Sequence, residues 1–385
     1  MKVLGACSLG GAGHLGPLSA VLDAALRRGD DVAVVAPPSM RAMVERAGHR
    51  WVGGSEPSEA EIAPIREQLP VVDAATASEL GNRELFGRLA TNSMLPEMRS
   101  AVDGWRPDLI VRDPCEYASA VLAVERDIPV RQVAISRSDI EWGSLDVAAP
   151  ALDAHLGGLT DAARATPYLT RFPASLDPDR FPRTVRFRDA PARTRPLSDR
   201  WGGDDRHLLY ATFGTVYGHM SNAVEGFRVL LSAVEHVDAR VLLTTGPQVD
   251  PSELGPTPTN VVVEQWVDQA DVVAAASVVV CHGGSGTTLG ALTAGIPLVV
   301  VALFADQFAN AEMVAGSGAG LAVDRGVDGQ RPSLGMGDVT AIRIAAETVL
   351  DDGVFTAAAR RVADEIASAP TADVALGDRP GDRLG

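Results

Sequence analysis

A chain of 385 residues, 46% of them apolar, exceeds what one hydrophobic core usually serves and predicts two domains. Its net charge of -16 excludes a general binder of nucleic-acid phosphates, though not a local phosphate pocket. The three cysteines, Cys7, Cys115 and Cys281, lie far apart near the ends of apolar runs, and the seven histidines form no HxH or HxxxH pair, so neither a disulfide framework nor a zinc site is expected.

The first residues, Met1 to Gly5, enter a strand with no apolar leader, and no later run is long enough to span a bilayer. The expectation is a cytoplasmic protein with no membrane partner. Val3 to Cys7 reads as a buried strand, Gly10 to Gly16 as a glycine-rich turn, and Pro17 to Arg28 as a helix with proline at its first position. Asp31 to Ala36 then completes a βαβ unit. From Trp51 to Arg99 the pattern weakens; Leu85, Phe86, Leu89, Met94, Leu95 and Met98 recur at helical spacing, as ordinary core or as an apolar acceptor pocket. Pro107 to Val111 and Pro129 to Ile135 are further strands, separated by a helix near Ala118 to Arg126. The proline-rich, charged stretch Leu176 to Asp205, with its Trp201-Gly202-Gly203 turn, predicts a linker. The expected domains are therefore 1–200 and 206–370, with a polar tail over 371–385.

After the linker the alternation restarts, with strands at Leu208 to Phe213, Arg240 to Thr245, Asn260 to Gln265, Val278 to Cys281 and Leu298 to Val301. The strand ending at Cys281 runs through His282-Gly283-Gly284-Ser285-Gly286-Thr287-Thr288 into a helix. Glycines admit an anion close to the backbone, and the free amides of a helix start favour negative charge, so a diphosphate fits there; a tight turn capped by Ser or Thr is the plain alternative. Trp266, in Gln265-Trp266-Val267-Asp268-Gln269, is either a stacking platform for a nucleobase or a core aromatic. Gly214-Thr215 forms a second small-residue turn, and Asp306-Gln307 offers a carboxylate and an amide for sugar hydroxyls, unless Asp306 is only a helix cap.

His14 in the first glycine turn and Asp113, after the strand Leu109 to Val111, are candidates for a general base and the carboxylate that orients it. Each also has a plain structural reading, as a cap and as a turn residue before Pro114. Gly11-Ala12-Gly13-His14-Leu15-Gly16 matches GxGxxG, which makes a nicotinamide-dependent oxidoreductase the rival; Val34-Val35-Ala36-Pro37 lacks the acidic residue that rival needs. Asp177-Pro178-Asp179 is a weak signal for a metal-dependent transferase.

Taken together, the ordered motifs from Gly13-His14-Leu15-Gly16-Pro17 to Asp306-Gln307-Phe308-Ala309-Asn310 resemble the GT-B glycosyltransferases that decorate antibiotics and other natural products in actinomycetes. The resemblance implies an α/β GT-B fold, two Rossmann-like domains facing a central cleft, and inverting, metal-independent transfer without a cofactor. It implies that His14 is the base and Asp113 its activator, that Trp266 and Gln269 frame the nucleobase, that His282 to Thr287 hold the diphosphate, and that Asp306 and Gln307 contact the donor sugar. The partners implied are a nucleotide-sugar and a small-molecule aglycone. Plant relatives carry a ribose-binding glutamate where Gly290 stands here, which points to a thymidine-diphosphate deoxysugar. Retention of His14 leans toward a hydroxyl acceptor, with carbon glycosylation of an aromatic polyketide as the alternative.

Overall fold

The computed structural model describes residues 1–9, 11–69, 72–197, 201, 206–325 and 333–377. A first sheet is built from β1 Lys2–Ala6, β2 Asp31–Ala36, β3 Arg50–Gly53, β4 Leu109–Arg112, β5 Val130–Val133, β6 Tyr168–Thr170 and β7 Thr184–Arg186. A second holds β8 Leu208–Thr212, β9 Arg240–Thr244, β10 Val261–Glu264, β11 Val278–Cys281, β12 Leu298–Val300 and β13 Gly320–Ala322. All pairings are parallel, in the orders β3-β2-β1-β4-β5-β6-β7 and β10-β9-β8-β11-β12-β13.

Each sheet starts in its interior, grows to one edge, and then resumes on the other side of its first strand. The order therefore reverses between β1 and β4 and between β8 and β11. Open parallel sheets bind ligands outside the carboxyl ends of the strands at such points. The registers Ala6 to Arg112 and Thr212 to Cys281 place residues 7–8 beside 113, and 213–215 beside 282–284.

Parallel strands covered on both faces need apolar residues at nearly every position, and their alternation divides the first core into two layers. Leu4, Ala6, Ala33 and Val35 pack with Ile110, Tyr117, Leu145 and Tyr168 on one face; Val3, Val32, Val34 and Ala36 pack with Leu18, Leu22 and Val111 on the other. In the second unit, Leu209, Leu243, Val278 and Val299 pack with Phe227 and Leu230 of the helix Ala223–Val234.

Three expectations are corrected by this architecture, and the helical spacing of Leu85 to Met98 is matched by helix. The first helix spans Ala12–Arg27, capped by Gly11 at a φ of 69°, so His14 stands in its first turn and Pro17 lies inside it; Gly10 is outside the described residues. The weakly patterned stretch after Trp51 contains β3, and then a continuous helical run of Ala74–Ser78, a wide π-helical part Glu79–Ala90, and Thr91–Trp105. Within the expected linker, β7 pairs with β6 and Leu176, Phe181 and Phe187 are buried, so the chain divides after Ala190. Residues 198–200 and 202–205, including Gly202 and Gly203 of the expected turn, lie outside the described residues. Finally, the predicted tail returns to the first unit: Ala372, Ala375 and Leu376 join its core, and Arg27 pairs with Asp373 at 2.9 Å. A short apolar helix hid among polar neighbours there; residues 378–385 are outside the described residues.

Candidate active site

In the first unit, β4 delivers Asp113 to the carboxyl edge of the sheet, with no exposure to solvent. Its carboxylate accepts the Ser8 amide at 2.7 Å on Oδ2 and the Cys115 amide at 2.7 Å on Oδ1, and Oδ1 lies 3.2 Å from His14 Nδ1. Burial works to raise the carboxyl, but the neighbouring His14 and the two amides outweigh it and hold Asp113 below the usual carboxylate range. With Nδ1–H donating to the carboxylate, Nε2 of His14 keeps its lone pair for a proton.

The other side of the imidazole meets Phe86, stacked with ring centroids 5.8 Å apart. The wide helix sets that contact: the Thr91 hydroxyl donates to the Phe86 carbonyl, five residues back, at 2.8 Å. Of the other five members of the predicted acceptor pocket, Leu89, Met94 and Met98 are buried, Leu85 is half-buried, and Leu95 packs against the core. A cavity of about 430 Å³ lies on the helices Glu59–Gln68 and Glu79–Ala90, lined by residues that include Ile65, Leu80, Glu84 and Leu89; neither His14 nor Phe86 lines it.

The GxGxxG rival is not supported by the packing. In a dinucleotide fingerprint the third glycine allows close helix–strand contact. Here Gly13 and Gly16 lie within the helix, and a Cβ on either would meet nothing within 4 Å.

In the second unit, β11 leads into the helix Ser285–Thr293 through His282, Gly283 and Gly284. The turn closes around the imidazole: an added Cβ would lie 2.5 Å from His282 Nε2 at Gly284, and 2.8 Å from its Cε1 at Gly214, whose φ of 68° also favours glycine. His282 is buried and its Nδ1 has no hydrogen-bond partner. Burial lowers its pKa to about 4, so the ring is neutral at pH 7. The folded chain thus resists a proton that the unfolded chain takes up near pH 6.5, so stability is full above that pH and falls as the pH drops toward 4. Replacing His282 by Gln is expected to remove this pH-dependent loss, roughly 3 kcal/mol at most. Denaturant unfolding of both proteins at pH 7.5 and 4.5 checks it, and equal pH slopes would refute it.

Ser285 and Thr287 are largely buried and Gly286 exposed on the first turn of that helix. Asp306 follows Ala305, which has a φ of 56°, a strained conformation for a residue with a Cβ. Asp306 Oδ2 accepts the Ser285 hydroxyl at 2.9 Å, and Asn310 Nδ2 reaches both Ser285 Oγ at 3.2 Å and the Gly283 carbonyl at 2.8 Å. The two predicted segments are thereby joined. Gln307 is buried, with its oxygen accepting the amides of Leu303 and Phe304 at 2.9 and 3.0 Å. That oxygen fixes the β12 loop, which narrows the expected sugar contact to the amide nitrogen. Gly214 and Thr215 follow β8 beside this turn. Trp266 is 69% exposed, which excludes the core reading; Val267 is buried, and Gln269 begins the helix Gln269–Val273 capped by Asp268.

In both candidate metal sets the carboxylates are already engaged. His14, Asp113 and Cys115 bring N, O and S atoms within 4.8 Å of one another, and both Asp113 oxygens accept hydrogen bonds from backbone amides. In the Asp177-Pro178-Asp179 stretch, Asp177 accepts the Ser138 amide and hydroxyl, and Arg186 stands 3.9 and 3.6 Å from the two carboxylates.

Residues 24–191 match the amino-terminal domain, and residues 228–376 the carboxyl-terminal domain, described as erythromycin biosynthesis protein CIII-like. The chain belongs to this family of natural-product glycosyltransferases. It is 31% identical to an L-demethylnoviosyl transferase of Streptomyces niveus, over 96% of this chain and 95% of that one. It is 30% identical to the elloramycin glycosyltransferase of Streptomyces olivaceus, over 97% and 96% respectively. The fold matches that of a spinosyn rhamnosyltransferase solved with thymidine diphosphate, with a TM-score of 0.76 at 24% identity, covering 97% of this chain and 98% of that one. The chain is a GT-B glycosyltransferase, and the oxidoreductase alternative is set aside. Among the described residues no helix is long and apolar enough to cross a membrane.

Proposed function

We propose that the chain is an inverting transferase that moves a deoxysugar from thymidine diphosphate to a hydroxyl of a natural-product aglycone, without a metal. The observation that carries this reading is the His14–Asp113 pair at 3.2 Å on a switch-point edge of its sheet. His14 Nε2 removes the acceptor proton as the oxygen attacks the anomeric carbon, and the diphosphate leaves from the opposite face. Gly284 to Thr287 offer amides and hydroxyls to the charge that grows on the leaving group, and His282 Nδ1 is an unspent polar atom beside them. Trp266 and Gln269 frame the base, Gly214 and Thr215 border the diphosphate, and Asp306 with the Gln307 amide holds the sugar.

Thymidine over uridine nucleotides follows from Gly290, which is exposed and has open space where a Cβ would stand. The helix Ser285–Thr293 carries no carboxylate to accept a ribose hydroxyl there. Gly290→Glu is expected to tighten uridine diphosphate about 10-fold relative to thymidine diphosphate, one gained hydrogen bond to a charged group. Calorimetric titration of both nucleotides measures the ratio; an unchanged ratio counts against this part. The reading as a whole is tested by a thermal-shift comparison of thymidine diphosphate, uridine diphosphate and NADH, since a bound ligand raises stability by mass action. Stabilisation by NADH alone would overturn it.

A further inference from the structure

Arg112 is a guanidinium with no solvent exposure at the end of a central strand, where its neighbours Leu109, Ile110 and Val111 are apolar. A buried cation is costly unless its donors are satisfied. Nε donates to the Glu116 carbonyl at 2.7 Å, Nη2 to the Pro114 carbonyl at 2.9 Å and Nη1 to Gln132 Oε1 at 2.5 Å, while the group lies 5.2 Å from the Tyr117 ring centroid. All of these partners except Gln132 belong to the segment that follows Asp113.

The Pro114 carbonyl and the Cys115 amide belong to one peptide plane, and in a trans peptide the C=O and N–H point in opposite directions. Fixing that oxygen on Arg112 therefore aims the Cys115 N–H the other way, to Asp113 Oδ1 at 2.7 Å, the same oxygen that meets His14 at 3.2 Å. A continuous chain of contacts runs from Gln132 through Arg112 and the 114–115 peptide to Asp113 and the imidazole.

Resting on the reading of His14 as the base, we propose that Arg112 is a positioning residue for catalysis, using the 114–115 peptide as a rigid lever that sets the Asp113 carboxylate on His14. Lysine keeps the charge but loses the planar fork that spans two carbonyls and an amide oxygen. Arg112→Lys is expected to lower kcat about 10- to 100-fold, with thymidine-diphosphate affinity and donor KM unchanged. A merely structural role would cost the same factor in any background. The lever acts only through Asp113, so in an Asp113→Ala background Arg112→Lys is expected to cost less than about twofold. An equal loss in both backgrounds would overturn the inference. If Arg112→Lys does not melt cooperatively near the parent and so is not folded, Gln132→Leu, which removes one anchor of the fork, is judged by the same cycle. His14→Ala run alongside separates the two levels: full turnover in that variant sinks the base reading itself, whereas its loss together with an Asp113-independent Arg112 effect sinks only the lever.

Discussion

His14→Ala is expected to lower kcat by about 10²- to 10⁴-fold, the range for loss of a positioned general base, with thymidine-diphosphate affinity within about twofold of the parent. The separation of effects is the informative part. His14 belongs to the first unit, bonded to Asp113 and stacked on Phe86, while the proposed nucleotide contacts belong to the second. A fold collapse would move both readouts, so the melting temperature should stay within a few degrees of the parent. Steady-state kinetics with calorimetry checks it; loss of turnover matched by loss of nucleotide binding would contradict the division of roles.

Gly284→Ala is expected to weaken thymidine-diphosphate binding by about 100-fold, the cost of one preorganised anion-binding element. Gly284 has φ -61° and ψ 137°, which alanine adopts freely, so the loss does not come from backbone strain. It comes from the methyl, which would stand 2.5 Å from His282 Nε2 and drive the imidazole or the turn out of place. Gly283 would respond differently: at a φ of 88°, with Val300 Cγ1 2.7 Å from the added Cβ, its substitution costs stability as well. A Gly284→Ala protein that binds the nucleotide within threefold of the parent would remove His282 from the site.

The parts of the fold that sequence reading recovered are those where a single physical pattern dominates. Val278 to Cys281 is a short, mostly β-branched buried run followed by His282 and two glycines, and its length, branching and glycine flank favour a strand over a helix. Asp113 is legible as the first residue after the strand Leu109–Arg112, where the chain leaves the carboxyl edge of the sheet. What was hidden depended on register or on the backbone. The amides of Ser8 and Cys115 that hold Asp113 are carried by every residue type and leave no mark in composition. Phe86 was visible as an apolar residue, but its stacking on His14 depends on a π-helical turn that a 3.6-residue period misplaces. Pro17 suggested a helix start because proline is favoured there, yet Gly11 supplies the cap and the helix tolerates Pro17 within it. Arg112 follows three apolar residues, and nothing in its charge or position marks it as fully buried. Gln307 is expected at the sugar from its place in the motif, and the sequence carries no sign that two amides of its own loop take its oxygen.

Two glycine-rich turns compete for the nucleotide in this chain, one after β1 and one after β11, and backbone amide exchange distinguishes them directly. Hydrogen exchange with and without saturating thymidine diphosphate is predicted to show protection concentrated in 283–288 and 214–215, with 11–16 unchanged. Protection confined to 11–16, with the turn after Cys281 exchanging as before, would contradict the assignment of the diphosphate to the second unit.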